Sequence, residues 1–224
     1  MKKNESPFHT KIEQLRHKLL SDKRSISYKD VGTASKHFNT EVRSLNDIAS
    51  TSLLPAKWAQ LLYRIAFYNE AHKIIELGTS MGLTSLYLAS VPAATVFTFE
   101  GNTSMTSIAE THFEFFNISN INLVAGNIDQ TLPDHLQNPA KVHFAFIDAN
   151  HKYQATVHYF ELLCKRMADK GIMVIDDIHQ SSEMEKAWNE VKGSELVYGS
   201  VDLFRMGVLF FDLSLNKQHY IWTL

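Results

Sequence analysis

From Lys73 onward the chain alternates short apolar runs with amphipathic stretches. Strand-like runs are Ile74–Leu77, Thr95–Phe99, Ile121–Val124, Val142–Ile147 and Ile172–Ile175. Near-continuous apolar runs of this length suit strands buried on both sheet faces. Between them, residues 83–90, 103–117, 129–136 and 154–168 have helical character, and another helix is expected over 181–192. Strands separated by helices predict right-handed βαβ units and a parallel sheet. The pattern then changes. Val197–Phe204, Gly207–Phe211 and His219–Trp222 are β-rich and have no helix between them. They predict a hairpin closing the edge. The expected fold is a doubly wound, mostly parallel seven-stranded α/β sheet, Rossmann-like, with an antiparallel edge hairpin and an N-terminal helical cap.

Upstream, Phe8, Ile12, Leu15 and Leu19 share one face of a helix over residues 8–20, flanked by Lys11, Arg16, Lys18, Lys23 and Arg24. This reads as an amphipathic helix that packs on the domain or on a partner, which allows a homodimer contact. Residues 30–36 form a small polar loop. A further helix runs from Pro55 to about Asn69, with Pro55 in its first turn and Trp58, Leu61, Leu62, Ile65 and Ala66 at helical spacing. The expected division is a helical extension over 1–52 and a sheet domain over 53–224. Aromatic residues such as Tyr28, Phe38, Trp58, Tyr153 and Phe204 line a pocket or, more simply, belong to the core.

Composition narrows the function classes. The 224 residues suit one domain with a small extension. A net charge of −2 gives no general attraction to nucleic acid or to anionic membranes, which disfavours both as partners. No run approaches the ~20 apolar residues that span a bilayer. The first seven residues lack the apolar core of a signal peptide, so a cytoplasmic location is the expectation. Cys164 is the single cysteine, which excludes an intramolecular disulfide, and it reads as a small core residue.

In a doubly wound sheet, ligands bind outside the carboxyl ends of the strands, so the residues following each strand carry the chemistry. The first strand ends in Glu76-Leu77-Gly78-Thr79-Ser80-Met81-Gly82. Two glycines permit a tight turn and close approach to a ligand. The dinucleotide fingerprint Gly-x-Gly-x-x-Gly is absent, and Glu76 would repel a pyrophosphate. A carboxylate there suits a cationic amine, which favours S-adenosylmethionine over NAD. Glu100 ends the second strand, 24 residues after Glu76, where a carboxylate can accept two ribose hydroxyls or simply sit solvated in a loop. Asn127 follows the third strand and could meet an adenine edge or cap the next helix.

The fourth and fifth strands end in acids. Asp148-Ala149-Asn150-His151 follows one and Asp176-Asp177-Ile178-His179 the other. Three carboxylates at neighbouring strand ends need a cation between them, either hydrated Mg2+ or the charge of the ligand. The alternative is that Asp148 or Asp176 caps a helix or orders a loop. His151 and His179 are candidate bases, since histidine titrates near neutral pH, and His151 is the stronger of the two.

Over roughly residues 53–224 the chain resembles the class I S-adenosylmethionine-dependent methyltransferases. Glu76-Leu77-Gly78 with Gly82 and Thr84 is similar to the first cofactor motif of the small-molecule O-methyltransferases, including catechol and caffeoyl-coenzyme A types. The resemblance implies Glu76 near the methionine ammonium, the Gly78–Gly82 backbone with Thr79, Ser80 and Thr84 near its carboxylate, and Glu100 on the ribose. It also implies that Asp148, Asp176 and Asp177 occupy divalent-metal positions beside the substrate hydroxyls. Two departures stand out: His151, next to Lys152, replaces a frequent base lysine, and Asp177 replaces a frequent asparagine. Asp148-Ala149-Asn150-His151 looks closer to bacterial members of the methyltransferase domain 24 group, some of which are metal-assisted.

The expected function is methyl transfer from S-adenosylmethionine to the oxygen of a small molecule. His151 would accept the hydroxyl proton, and Asp148 would orient it or bind Mg2+. Methylation of an amine or RNA nitrogen, and a non-catalytic S-adenosylmethionine-binding protein, are the alternatives.

Overall fold

The structure is a computed structural model that describes residues 6–27 and 42–223. The loop expected over 30–36, Tyr28 and Phe38 lie outside the described residues. Helix α1 (Pro7–Ser21) is followed by a two-stranded antiparallel ribbon, β1 (Ser25–Ser27) with β2 (Val42–Ser44), and by α2 (Leu45–Ser52) and α3 (Ala56–Tyr68). Then come β3 (Lys73–Leu77), α4 (Leu83–Ala89), β4 (Thr95–Glu100), α5 (Thr103–Phe115), β5 (Ile121–Ala125) and α6 (Ile128–His135). The chain closes with β6 (Val142–Ile147), α7 (Tyr153–Cys164), β7 (Met167–Ile175), α8 (Ser182–Lys192), β8 (Gly199–Asp202), β9 (Gly207–Phe210) and β10 (Gln218–Ile221).

The main sheet has the order β10-β8-β9-β7-β6-β3-β4-β5. Its centre, β7-β6-β3-β4-β5, is parallel, and β9 runs antiparallel between β7 and β8. The hairpin expected from the tail is therefore present. Among the described residues this sheet has eight strands rather than seven, because β10 adds parallel to β8 as an outer edge. Since β9 reverses direction and β8 reverses it again, the carboxyl end of β8 returns to the same rim as those of β6 and β7.

Strand pleating divides the core into two layers. Along β6, Phe144 and Phe146 face a cluster shared with α1 to α5, whereas Ala145 and Ile147 face one shared with α6, α7 and α8. Ile74, Ile75 and Leu77 of β3 are wholly buried, each contributing about 1.5–3 kcal/mol through apolar burial. The chain winds outward from β3 to β4 and β5 in one direction and through β6 and β7 in the other. The crevice between β3 and β6 is thus the topological switch point, where such folds place their ligands.

Helix α1 is amphipathic as expected, and this chain covers its apolar face. Ile12 and Leu19 are buried, Tyr87 of α4 donates to Glu13 Oε1 (2.9 Å), and His9 Nε2 pairs with Ser90 Oγ (2.9 Å). Of the two packings that the sequence allowed for this helix, on the domain or on a partner, the first is present within the chain. Pro55 caps α3 from just outside it rather than standing in its first turn. The helix expected over 154–168 ends at Cys164, because Met167 already pairs with Val142 as the start of β7. No helix among the described residues is long and apolar enough to cross a membrane.

Candidate active site

The turn after β3 is built by close approach of backbone. Gly78 and Thr79 donate their N–H groups to Phe99 O at 3.0 and 3.2 Å. Gly78 has φ +98°, and a Cβ there would lie 2.2 Å from Asp148 O. Gly82 has φ +81°, and a Cβ there would lie 2.6 Å from the Phe113 ring of α5. The space that each absent side chain leaves is thus taken by protein. The first glycine seats the β3–α4 turn on the end of β6, and the second seats α4 against α5.

Beneath this turn runs a buried polar chain. Thr79 Oγ1 pairs with Thr98 Oγ1 (2.6 Å), Thr98 Oγ1 donates to Glu76 Oε2 (2.6 Å), and Ser85 Oγ donates to the same oxygen. Glu76 is wholly buried, yet among the described residues its Oε1 has no hydrogen-bond partner, and neither has the buried Ser80 Oγ one position beyond Thr79. Two unsatisfied polar atoms at one strand end and its turn are unusual in a folded core. Burial pushes the Glu76 carboxyl up to about 7; the Ser85 and Thr98 bonds oppose this and the charge of Glu100 adds to it. Thr84 lies half-buried in the first turn of α4.

Glu100 ties the next strand end into the same turn. Its Oε2 accepts from Ser80 N and its Oε1 from Asn102 N, both at 2.8 Å. Burial raises its pKa, and the bonds from Asn102, Ser80 and Gly101 N–H oppose the rise. Asn127 is exposed, and its side-chain oxygen accepts from Asp129 N (3.1 Å) as the N-cap of α6. The capping alternative describes the role that this residue has here.

Three acids do meet at the neighbouring ends of β6 and β7. Asp148 N donates to Leu77 O and Asp176 N to Ile147 O, both at 2.9 Å. The cation among them is one that the sequence reading did not consider: Arg205, in the turn between β8 and β9. Arg205 Nε donates to Asp176 Oδ1 (3.0 Å) and Nη2 to Asp176 Oδ2 (2.7 Å), while Nη2 stands 3.4 Å from Asp177 Oδ1. Burial raises Asp148 well above the usual carboxylate range, with Asp176 and Asp177 adding and Arg205 opposing. Burial likewise pushes Asp176 up to about 6 against its bond to Arg205.

As arranged, this donor set does not fit a divalent metal. Both oxygens of Asp176 are engaged by the guanidinium, and no group of three or more His, Cys, Asp or Glu among the described residues converges as metal ligands.

His151 Nε2 lies 3.4 Å from Asp148 Oδ1, and its side chain is 23% exposed. Burial lowers its pKa, the charge of Asp177 opposes this and Arg205 reinforces it, and the net effect favours the neutral ring. Asn150 (φ 67°), His151 (φ 37°) and Asp177 (φ 53°) all hold left-handed backbone, at a cost of about 1–3 kcal/mol each. Strain of this size at adjoining strand ends marks positions that the surrounding fold holds in place.

His179 is committed elsewhere. Its Nε2 pairs with Asp202 Oδ2 (2.8 Å) and its Nδ1 with Glu185 Oε1 (3.3 Å). Burial alone would lower its pKa, but the bonds to Asp202 and Glu185 outweigh burial and raise it. Asp202 also accepts from Trp188 Nε1 (3.2 Å) and Phe204 N (2.9 Å), so this cluster holds the turn that carries Arg205.

Of the aromatic candidates, Trp58 is core and Tyr153 bonds Glu190 Oε2 across α7 and α8 at 2.5 Å. Phe204 is exposed beside His179, with ring centroids 6.3 Å apart.

A doubly wound sheet with a buried acid under its first turn, a second acid one βαβ unit later and a histidine beside acids at the switch point has the class I methyltransferase architecture. Residues 75–178 match the family described as Methyltransferase domain. No curated protein matches the chain. Among solved structures, the methyltransferase PaMTH1 of Podospora anserina, bound to S-adenosylhomocysteine, aligns with TM-score 0.68 at 12% identity over 93% of this chain and 89% of that one. The O-methyltransferase TomG of Streptomyces achromogenes, in complex with S-adenosylmethionine, aligns with TM-score 0.67 at 18% identity over 93% and 91%. An O-methyltransferase from Bacillus cereus in complex with S-adenosylhomocysteine gives 0.64 at 14% over 92% and 91%. These likenesses are likenesses of fold.

Proposed function

We propose that the protein transfers a methyl group from S-adenosylmethionine to an oxygen of a small molecule. The observation that carries this reading is the pair of unsatisfied buried atoms, Glu76 Oε1 at the end of β3 and Ser80 Oγ in the turn after it, within the segment that matches a methyltransferase family. They suit the ammonium and carboxylate of a methionine moiety. Glu100 would hold the ribose hydroxyls with the lone pairs that its two backbone bonds leave free. The structural neighbours bound to S-adenosylmethionine or its demethylated product support the same donor. When bound, this donor supplies a methyl group that its sulfonium already makes electrophilic.

The chain's own work is alignment and proton removal. With Nε2 turned to Asp148, the neutral ring of His151 has Nδ1 without a hydrogen bond among the described residues, available to take the acceptor hydroxyl proton. Asp148 orients the ring and steadies the charge that the ring gains. Seating Gly78 on Asp148 fixes the donor turn against this base, so that the reacting groups meet already oriented.

Glu76 gives a test that separates ligand binding from structure. Its folded pKa of about 7 exceeds the model-peptide value of 4.5. The folded state therefore holds the proton more tightly, and stability falls as pH rises from 4.5 through 7. Fully ionised, the buried acid costs about 3 kcal/mol. Glu76→Gln is expected to stabilise the ligand-free protein at pH 8 by up to that amount in urea titrations, with little effect at pH 5. The same variant should lose S-adenosylmethionine affinity by roughly tenfold or more, the loss of one charged hydrogen bond. A variant that is less stable at pH 8 yet binds the donor normally would sink the assignment.

A further inference from the structure

The turn Leu203-Phe204-Arg205-Met206 is fixed from several sides. Leu203 N donates to Met206 O (2.9 Å), Arg205 N to Leu203 O (2.8 Å) and Ile178 N to Arg205 O (3.1 Å). Asp202, itself buried, anchors the turn through Phe204 N, Trp188 Nε1 and His179 Nε2. The guanidinium it presents spends Nε and Nη2 on Asp176 and Asp177, while Nη1 makes no hydrogen bond among the described residues and the side chain is 34% exposed. A bidentate pair to a wholly buried carboxylate is far stronger than a surface ion pair. A divalent ion would have to displace it before coordinating Asp176.

Resting on the methyl-transfer reading, we infer that Arg205 takes the place of a divalent cation among Asp148, Asp176 and Asp177, offers Nη1–H to the acceptor oxygen and makes the reaction independent of metal. The step balances without an added ion. The hydroxyl proton passes to His151 Nδ1, the oxygen bonds to the methyl carbon, and the carbon–sulfur electron pair leaves on sulfur. Arg205 neutralises the acids and holds the oxygen by hydrogen bonding, where a metal would hold it by coordination.

The test is uptake of Mn2+, followed by loss of the free-ion paramagnetic resonance signal, for wild type, Arg205→Ala, Arg205→Gln and Arg205→Lys. Wild type and Arg205→Lys should leave the signal of free Mn2+ unchanged. Arg205→Ala should take up one ion per chain once the acids are uncovered. Arg205→Gln, which keeps side-chain length, should do the same if the alanine variant fails to fold. Uptake by wild type would overturn the inference, as would a folded neutral variant that takes up none. S-adenosylmethionine titrated calorimetrically into the same samples examines the underlying reading separately. If wild type excludes Mn2+ but binds no donor, methyl transfer is wrong and the ion result stands.

Discussion

Replacing His151 by alanine is expected to lower kcat for methyl transfer by roughly 10²- to 10⁴-fold, the ordinary worth of a positioned base. The residue contacts the proton rather than the donor, so donor affinity should stay within about twofold of wild type, well under the 1.4 kcal/mol of a tenfold change. Rates with radiolabelled donor against small hydroxylated acceptors, and donor calorimetry, measure the two quantities. The pH profile carries a further sign. A base whose pKa lies below the ordinary histidine value stays neutral, and active, into mildly acidic solution. Activity of wild type should therefore persist below pH 6.5, falling only once the depressed pKa is reached. An alanine variant with undiminished kcat would remove His151 from the mechanism.

The second large effect concerns folding. Gly78→Ala places a Cβ 2.2 Å from the Asp148 carbonyl oxygen in a backbone conformation that L residues rarely adopt. Neither strand end can yield, because Asp148 N is tied to Leu77 O and Gly78 N to Phe99 O. The combined overpacking and backbone cost is roughly 3–5 kcal/mol, a large share of an ordinary domain's stability. Gly82→Ala also meets an atom too closely, at 2.6 Å, but that atom belongs to the Phe113 ring, which can shift. Urea midpoints should therefore rank wild type above Gly82→Ala and Gly82→Ala above Gly78→Ala. Equal midpoints for the two variants would show that the turn does not rest on Asp148 as described.

The parallel half of the sheet was legible because each of its strands is an apolar run buried on both faces, a pattern few other folds impose. The positions of Glu76, Glu100, Asp148 and Asp176 followed from those runs alone, since each stands at or directly beside the carboxyl end of a strand. Three features were not legible. Gly78 and Gly82 read as room for a ligand, whereas their close neighbours are Asp148 and Phe113, contacts between segments far apart in sequence. Asn127 offered two readings, and a local bond from Asp129 N to its side-chain oxygen shows the cap.

Arg205 was missed for a topological reason. Reading the ends of parallel strands stopped at β7, but the insertion of antiparallel β9 turns β8 parallel to β7 again. The Asp202-Leu203-Phe204-Arg205 turn thus arrives at the same rim. Extending the strand-end rule to β8 would have found the cation that the three acids required. Charge balance had signalled that need, and only the pairing order supplied its source.

The central claim is that the β3–α4 turn and Glu100 bind S-adenosylmethionine. Its most direct test is isothermal titration of the donor into wild type and Glu100→Ala at pH 8, with NAD as a control. Binding of one donor per chain, weakened by roughly tenfold or more in the variant and absent with NAD, is the predicted result. No heat with the donor, equal affinity in the two proteins, or saturable binding of NAD would contradict it.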